Sequence, residues 1–166
     1  MTKFSKNIQV NASQQKVWEV MSNLGDIYKF NPNVSKSFYN GDQKSGIGAS
    51  RTCELIPAGI VEEVATKWNE GQSYTLEIIP IEKAPPLKNF YVHLDLTTVS
   101  KGITNVDVTM EYDTKLGAIG TIMNTLMIKS QLEKAITLLL DGLKLNLETG
   151  QEIENPKTLK ALLQAA

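Results

Sequence analysis

The segment NFYVHLDLTTVSKGITNVDVTMEYD, residues 89–113, decides the fold class, because both of its halves alternate between apolar and polar side chains. The apolar positions are Phe90, Val92, Leu94, Leu96, Val106, Val108, Met110 and Tyr112. The residues between them are mostly polar, and Lys101-Gly102 marks a turn between the halves. This period of two predicts a pair of antiparallel strands whose sheet is covered on one face and wet on the other.

Five more strands are predicted upstream of this pair, separated by glycine and proline turns. The predicted strands span Phe4–Val10, Val34–Tyr39, Gly48–Leu55, Ile60–Asn69, Ser73–Ile81, Asn89–Val99 and Thr104–Asp113. Short, hairpin-like turns between successive strands are typical of an antiparallel sheet. We therefore expect one seven-stranded sheet.

Helical spacing occurs on both sides of the main run of strands. Ser13 is a good N-cap for a first helix that Gly25 ends, and Asp26–Phe30 forms a second short helical piece before Pro32. A long helix is predicted from Lys115 to about Thr149. Its apolar stripe comprises Leu116, Ile119, Met123, Leu126, Met127, Leu132, Ile136, Leu139, Leu140, Leu143 and Leu147. This helix is expected to cover the apolar face of the sheet.

Length and composition exclude several classes of protein. The chain has 166 residues, 17 basic and 18 acidic, and a net charge of −1, which argues against a general nucleic-acid binder. Cys53 and His93 are the only residues of their types, so an internal disulfide and a four-ligand zinc site of the Cys/His type are ruled out. We expect no metal and no cofactor.

The organisation predicted is one domain over residues 1–150 and a tail over residues 151–166, with a short helix at Lys157–Gln164. The N-terminus lacks the apolar core of a signal peptide, and no apolar run is long enough to span a membrane. These observations favour a soluble, cytoplasmic protein without integral membrane association.

Four motifs then indicate a family. They are Phe30-Asn31-Pro32-Asn33-Val34, Gly46-Ile47-Gly48-Ala49-Ser50-Arg51, Glu63 to Trp68-Asn69-Glu70-Gly71, and Thr104-Asn105-Val106 through Glu111-Tyr112. In this order, within a chain matched from Lys3 to Thr149, they resemble the START-like superfamily (SRPBCC) of polyketide cyclases, dehydrases and lipid-transfer domains. The resemblance implies an α+β helix-grip fold, in which a curved seven-stranded antiparallel sheet wraps around a long C-terminal helix, with a cavity between them. Members of this superfamily bind apolar or amphipathic small molecules there, and a minority catalyse aldol cyclisation or dehydration.

Arg51 and Glu63 form the most informative polar pair. A three-residue turn at Pro57–Gly59 places Cys53 opposite Glu63, and sets Arg51 and Glu63 diagonally on one face of the sheet. A two-residue turn would bring Glu62 to that face instead. If the face lines the cavity, the pair is a buried charge-assisted bond that orients a polar ligand group. The alternative is an exposed cross-strand salt bridge.

The expected ligand-binding wall is formed by the long helix and by the apolar face of the sheet that it covers, here called the inner face. The candidate lining residues are Arg51, Cys53, Glu63, Trp68, Tyr74, Leu76, Phe90, Val92, Leu94, Val108, Met110, Tyr112, Met123 and Met127. An apolar pocket with few polar groups is how small-molecule sites are usually built, while plain core packing is the other role for most of these residues. His93 falls on the polar face as a solvated strand residue, and Cys53 is expected to be a small buried hydrophobe.

Three functions stay open on this basis. We rank first the binding of a hydrophobic or amphipathic small molecule, lipid- or polyketide-like, between sheet and helix. A protein-interaction module comes second, with Asn155–Ala166 or a sheet edge contacting a partner or a second copy in a homodimer. A cyclase or dehydratase comes third, with Arg51, Glu63, Tyr74 and Tyr112 as the available acid–base groups.

The loop Ile81–Lys88, with Pro85-Pro86, is a candidate for a flap over the cavity mouth, opposite Gly117–Gly120 at the start of the long helix. An ordinary connection stiffened by two prolines is the alternative for the loop.

Overall fold

The computed structural model describes residues 1–84, 87–114 and 121–165, and the side chains of residues 114 and 121–125 are outside that description. Its strands are β1 (Thr2–Val10), β2 (Val34–Tyr39), β3 (Ser50–Leu55), β4 (Ile60–Asn69), β5 (Ser73–Glu82), β6 (Leu87–Ser100) and β7 (Ile103–Thr114). Its helices are α1 (Gln14–Met21), a 3-10 helix (Leu24–Lys29), α2 (Thr121–Thr149) and α3 (Pro156–Ala165). Each strand begins and ends within two residues of its predicted limits.

The seven strands form one antiparallel sheet in the order β1-β7-β6-β5-β4-β3-β2. In the β6–β7 ladder Leu94 pairs with Val108 and Leu96 with Val106, and all four side chains are buried. The apolar residues that alternate along residues 89–113 therefore lie on the buried, inner face of the sheet. The predicted α+β class with a seven-stranded antiparallel sheet is confirmed.

Helix α2 packs on the inner face and approaches the sheet most closely at β1, and next at β7. Its residues Ile136, Leu139, Leu140 and Leu143 are buried in the main core, as their spacing predicted. Gly142 allows a close crossing, because a Cβ atom there would lie 2.2 Å from the Phe30 carbonyl oxygen. The helix is thereby held against the segment that enters β2.

The apolar stripe of α2 is not buried along the whole of the helix whose side chains are described. Leu126 is 63% exposed and Met127 is 58% exposed, so the expected place of Met127 in the ligand-binding wall is corrected. Helical spacing identifies one face of a helix, but it does not show how far along the helix the covering sheet extends. The predicted helix start at Lys115, with Leu116, Gly117, Ile119 and Gly120, and the Pro85-Pro86 flap lie outside the described residues, as does the side chain of Met123.

The first helix ends earlier than predicted. Ser13 caps it as expected, since its hydroxyl accepts a hydrogen bond from the Lys16 amide at 3.3 Å. The helix stops at Met21, and the amide of Ser22 bonds the Trp18 carbonyl. The prediction that Gly25 ends this helix was wrong: Gly25 lies within the 3-10 helix, where a Cβ atom would come 2.5 Å from the Tyr39 ring.

The pairing of β3 with β4 differs from the prediction. The Leu55 amide bonds the Gly59 carbonyl at 2.8 Å, and the ladder starts with Glu54 opposite Ile60. Arg51 consequently lies directly opposite Glu63, so the diagonal arrangement was wrong, while Cys53 lies opposite Val61. A shift of two residues preserves the face on which each side chain lies, which is why Arg51 and Glu63 still share one.

The tail packs back on the domain. Ile153 and Leu159 are fully buried in a small cluster with Leu145, and the Ile153 amide bonds the Lys29 carbonyl at 2.8 Å. No helix in the described parts of the chain combines the length and the apolar character needed to cross a membrane.

Candidate functional site

Arg51 and Glu63 form a buried ion pair on the inner face. The Arg51 Nε donates to Glu63 Oε2 at 2.7 Å, and the Arg51 Nη2 donates to the same oxygen. The side chains are 3% and 12% exposed. Burial acts to lower the pKa of Arg51, but attraction to the Glu63 carboxylate outweighs it and raises the pKa overall. The alternative of an exposed cross-strand bridge is thus wrong for this pair.

The 3-10 helix and the segment before it hold this pair in place from one side. The Arg51 Nη1 donates to the Leu24 carbonyl at 2.6 Å. The Tyr74 hydroxyl donates to the Met21 carbonyl at 3.3 Å, and the Ser37 hydroxyl donates to the Gly25 carbonyl at 2.5 Å. Backbone carbonyls that a short helix would otherwise leave unpaired are satisfied by side chains of the sheet.

Glu63 keeps one oxygen free of protein partners. Both guanidinium bonds end on Oε2, and Oε1 makes no hydrogen bond with any residue in the described ranges. A carboxylate oxygen has lone pairs available for an external donor. The pair therefore presents a fixed acceptor at the inner face, with its negative charge balanced by Arg51.

Two nearby groups are poor acids and poor nucleophiles. Burial raises the pKa of the Cys53 thiol to about 12, and burial likewise raises the pKa of the Tyr74 hydroxyl to about 12. A thiol with such a pKa has almost no reactive thiolate at neutral pH. Cys53 is fully buried, in keeping with its predicted role as a small hydrophobe.

Tyr112 is a further polar residue of the inner face, and it differs from Tyr74. Its side chain is fully buried, and its hydroxyl has no hydrogen-bond partner among the residues that the structure describes. Burial raises the pKa of Tyr112, and the side chain of Thr2, its neighbour on β1, acts in the opposite direction.

The other predicted lining residues form an apolar surface around these polar groups. Leu76, Phe90, Leu94, Val108 and Met110 are buried, and Trp68 and Val92 are half-buried. Val92 stands between Leu76 and Met110 in neighbouring strands. The middle of the sheet is therefore covered less completely at Val92 than at its neighbours.

A clamp of two tryptophans escaped the sequence analysis. The Trp18 and Trp68 indoles each donate to the Glu70 carboxylate, one to each oxygen, at 2.7 Å. Trp68 also stacks on Tyr74, with ring centroids 5.5 Å apart. These two bonds lower the pKa of Glu70. The motif Trp68-Asn69-Glu70-Gly71 was the available signal, although nothing in it identified Trp18 as the partner.

A cleft of about 570 Å³ opens on the opposite, outer face of the sheet. It is bordered by Lys3, Lys67, Trp68, Asn69, Ser73, Tyr74, Thr75, His93, Leu94, Asp95, Thr109 and Glu111. His93 lies there 3.0 Å from the Thr75 hydroxyl and 3.5 Å from Glu111, so it is more enclosed than a solvated residue. The cleft is mixed in charge and mostly polar, which suits an apolar ligand less well than the inner face does.

In the described part of the chain, no three His, Cys, Asp or Glu side chains are grouped so that they could hold a metal ion. The buried cation beside Glu63 is Arg51, so the carboxylate already has its counter-charge.

Comparisons with known proteins agree with this architecture. A family model described as polyketide cyclase / dehydrase and lipid transport matches residues 1–148. The ZhuI aromatase/cyclase from Streptomyces sp. R1128 is similar in structure, with 13% identity, a TM-score of 0.74, and coverage of 89% of this chain and 93% of that one. A START superfamily protein from Mycobacterium smegmatis has 13% identity and a TM-score of 0.71, covering 88% and 97%. A protein from Thermobifida fusca has 16% identity and a TM-score of 0.72, covering 93% and 97%. Among curated protein sequences, none matches significantly.

Proposed function

The chain belongs to the polyketide cyclase / dehydrase and lipid transport family, and from that premise we propose that it binds a small apolar or amphipathic molecule between the sheet and helix α2. The observation that carries the proposal is the unshared Oε1 of Glu63, held by Arg51 within an otherwise apolar surface. Ligand sites combine apolar walls with a few fixed polar groups in this way.

The placement of Arg51 supports a role in orienting a ligand. Arg51 donates two hydrogen bonds to Glu63 and one to the Leu24 carbonyl. These bonds fix the orientation of the Glu63 carboxylate before any ligand binds. A fixed acceptor selects ligands that carry a hydroxyl or amine donor, because a ligand without one would leave the oxygen unpaired on desolvation.

Binding without chemistry fits the site better than catalysis. An acid–base mechanism needs a group whose pKa lies near the working pH, whereas burial raises the pKa of Tyr74 to about 12 and Arg51 is held charged by Glu63. The similarity to an aromatase/cyclase is a similarity of fold at 13% identity. We therefore place carrier or sensor activity first and cyclase or dehydratase activity second.

Native mass spectrometry of protein purified from its own host tests the proposal. We expect a ligand-sized excess over the denatured mass. We also expect Glu63→Gln to lose that excess, while Glu62→Gln, the neighbouring residue on the opposite face, retains it. A clean apo mass, together with no displacement of an apolar fluorescent dye by any added apolar compound, would contradict the proposal.

A further inference from the structure

The inner face carries a second unpaired oxygen besides Glu63 Oε1, namely the hydroxyl of Tyr112. It is fully buried, with no hydrogen-bond partner in the described ranges of the chain. Tyr74, the other buried tyrosine of this face, bonds the Met21 carbonyl. A buried hydroxyl without a partner is unfavourable, and native proteins rarely leave one unless a water, a ligand or a functional constraint accounts for it.

The ring of Tyr112 lies among apolar side chains. Its ring makes edge contacts with Phe4 and Phe90, at centroid distances of 6.4 Å and 6.1 Å. The Glu133 carboxylate of α2 lies near enough to act on the pKa of Tyr112, but it forms no hydrogen bond with it. The hydroxyl is covered in this structure, so a ligand oxygen or nitrogen would reach it by taking the place of part of this cover.

The strand order sets the distance between the two unpaired oxygens. Glu63 is on β4 and Tyr112 is on β7, with β5 and β6 between them. Three strand spacings amount to about 14 Å along the sheet, and less directly across its concave face. The inward side chains Ile78 and Phe90, on the two intervening strands, are apolar and buried.

We propose that Glu63 Oε1 and the Tyr112 hydroxyl anchor the two ends of one ligand. The ligand class is an apolar molecule of roughly 10 to 14 Å that bears a hydrogen-bond donor at the Glu63 end and a hydroxyl or carbonyl oxygen at the Tyr112 end. This inference rests on the proposed function, because it specifies which ligand the same site selects.

Matched probes test the two-ended site. The assay measures how well each probe displaces an anilinonaphthalene sulfonate dye. The three probes are biphenyl, biphenyl with one para hydroxyl, and biphenyl with a para hydroxyl at each end. In the unaltered protein, we expect the diol to bind about tenfold more tightly than the mono-alcohol, since one further hydrogen bond is formed. In Tyr112→Phe that advantage should vanish, while the affinity for biphenyl itself stays the same.

Tyr91→Phe is the matched control, because it removes the same atom from the outer face of β6. It should leave all three affinities unchanged. Comparing probes within each variant makes the result independent of any small change in overall stability.

The outcomes separate this inference from the proposed function. If all three probes bind but the diol has no advantage that depends on the Tyr112 hydroxyl, the two-ended site is overturned and small-molecule binding stands; a buried water would then account for that hydroxyl. If no probe displaces the dye, the two-ended site is overturned, and the native mass of the protein decides the proposed function separately.

Discussion

At the scale of single residues, the fold depends on a few buried polar groups that are satisfied by partners far away in the chain. Arg51 joins β3 to β4 through Glu63, and joins the sheet to the 3-10 helix through the Leu24 carbonyl. A charge with so little exposure is tolerated only when it is paired and hydrogen-bonded. Loss of one partner is therefore more damaging than loss of both.

Arg51→Met should lower the free energy of unfolding by about 3 kcal/mol, because it leaves the Glu63 carboxylate partly buried without a counter-charge. Arg51→Met combined with Glu63→Leu should regain most of that loss, since both charges are then absent. Urea unfolding curves of the two variants give the comparison. A double variant less stable than the single one would show that the pair is stabilising in its own right.

The Trp18–Glu70–Trp68 clamp has a pH dependence with a definite sign. The two indole bonds lower the pKa of Glu70 below 4.5, so their stabilisation is complete above that pH and is lost as the pH falls through the folded-state pKa. Tryptophan fluorescence should therefore shift in the acid range below pH 4.5.

Glu70→Gln should abolish that fluorescence transition and lower the melting temperature at pH 7, because the amide nitrogen cannot accept a bond from an indole. Glu19→Gln, an exposed change on α1, serves as the control and should leave the transition in place. An unchanged acid transition in Glu70→Gln would remove Glu70 as its source.

At the scale of elements, α2 shows how tertiary packing overrides local preference. Glycine is disfavoured within helices by about 1 kcal/mol against alanine, yet Gly142 sits among buried helix residues. The reason is the crossing with the segment before β2, where a Cβ atom would meet the Phe30 carbonyl oxygen and the Pro32 ring.

Gly142→Ala should therefore destabilise the protein. The helix preference gains about 1 kcal/mol, but a contact of 2.2 Å with the Phe30 carbonyl oxygen forces α2 away from the segment before β2, and overpacking of this kind costs roughly 1–3 kcal/mol. We expect a net loss measurable by urea unfolding, whereas Ser130→Ala, at an exposed position of α2, should give a small gain. A stabilised Gly142→Ala would mean that the helix can shift without loss.

The strands show which features could be predicted from sequence. Alternation at Leu94, Leu96, Val106 and Val108 depends only on neighbours within one strand, so the inner face was predicted correctly. The register of β3 on β4 depends on which residues close the turn between them, and it was wrong by two residues. A register shift of two residues leaves every side chain on its predicted face of the sheet. It changes, however, which residues of the neighbouring strand lie opposite or diagonal to it.

The same contrast holds in the candidate site. Arg51 and Glu63 were predicted to share one face of the sheet, and the structure brings them together. The bond from Arg51 to the Leu24 carbonyl, and the difference between the paired Tyr74 and the unpaired Tyr112, arise from segments far apart in the chain. No local pattern encodes contacts of that kind.

At the scale of the whole molecule, residues 151–165 belong to the packed structure. Ile153 and Leu159 are 0% and 1% exposed, and burial of each side chain contributes roughly 1.5–3 kcal/mol. We therefore expect the main contribution of this segment to be to the stability of the domain.

Deleting residues 151–166 should therefore lower the melting temperature by at least about 5 °C, because Leu145 and its neighbours lose their cover. Deleting only residues 164–166 removes no buried side chain among those described and should have little effect. Differential scanning fluorimetry measures both. An unchanged melting temperature for the longer deletion would favour the alternative in which the tail contacts another molecule.

The pairing of β1 with β7 also has a consequence for the growing polypeptide. Phe4 pairs with Met110, about a hundred residues further along the chain, and sheets closed by such distant pairings fold slowly, in milliseconds to seconds. On the ribosome, the first strand therefore leaves the exit tunnel long before its partner is synthesised. Until then its backbone hydrogen-bonding groups are open to other nascent chains, and chaperones that shield short extended segments would have their greatest effect during this interval.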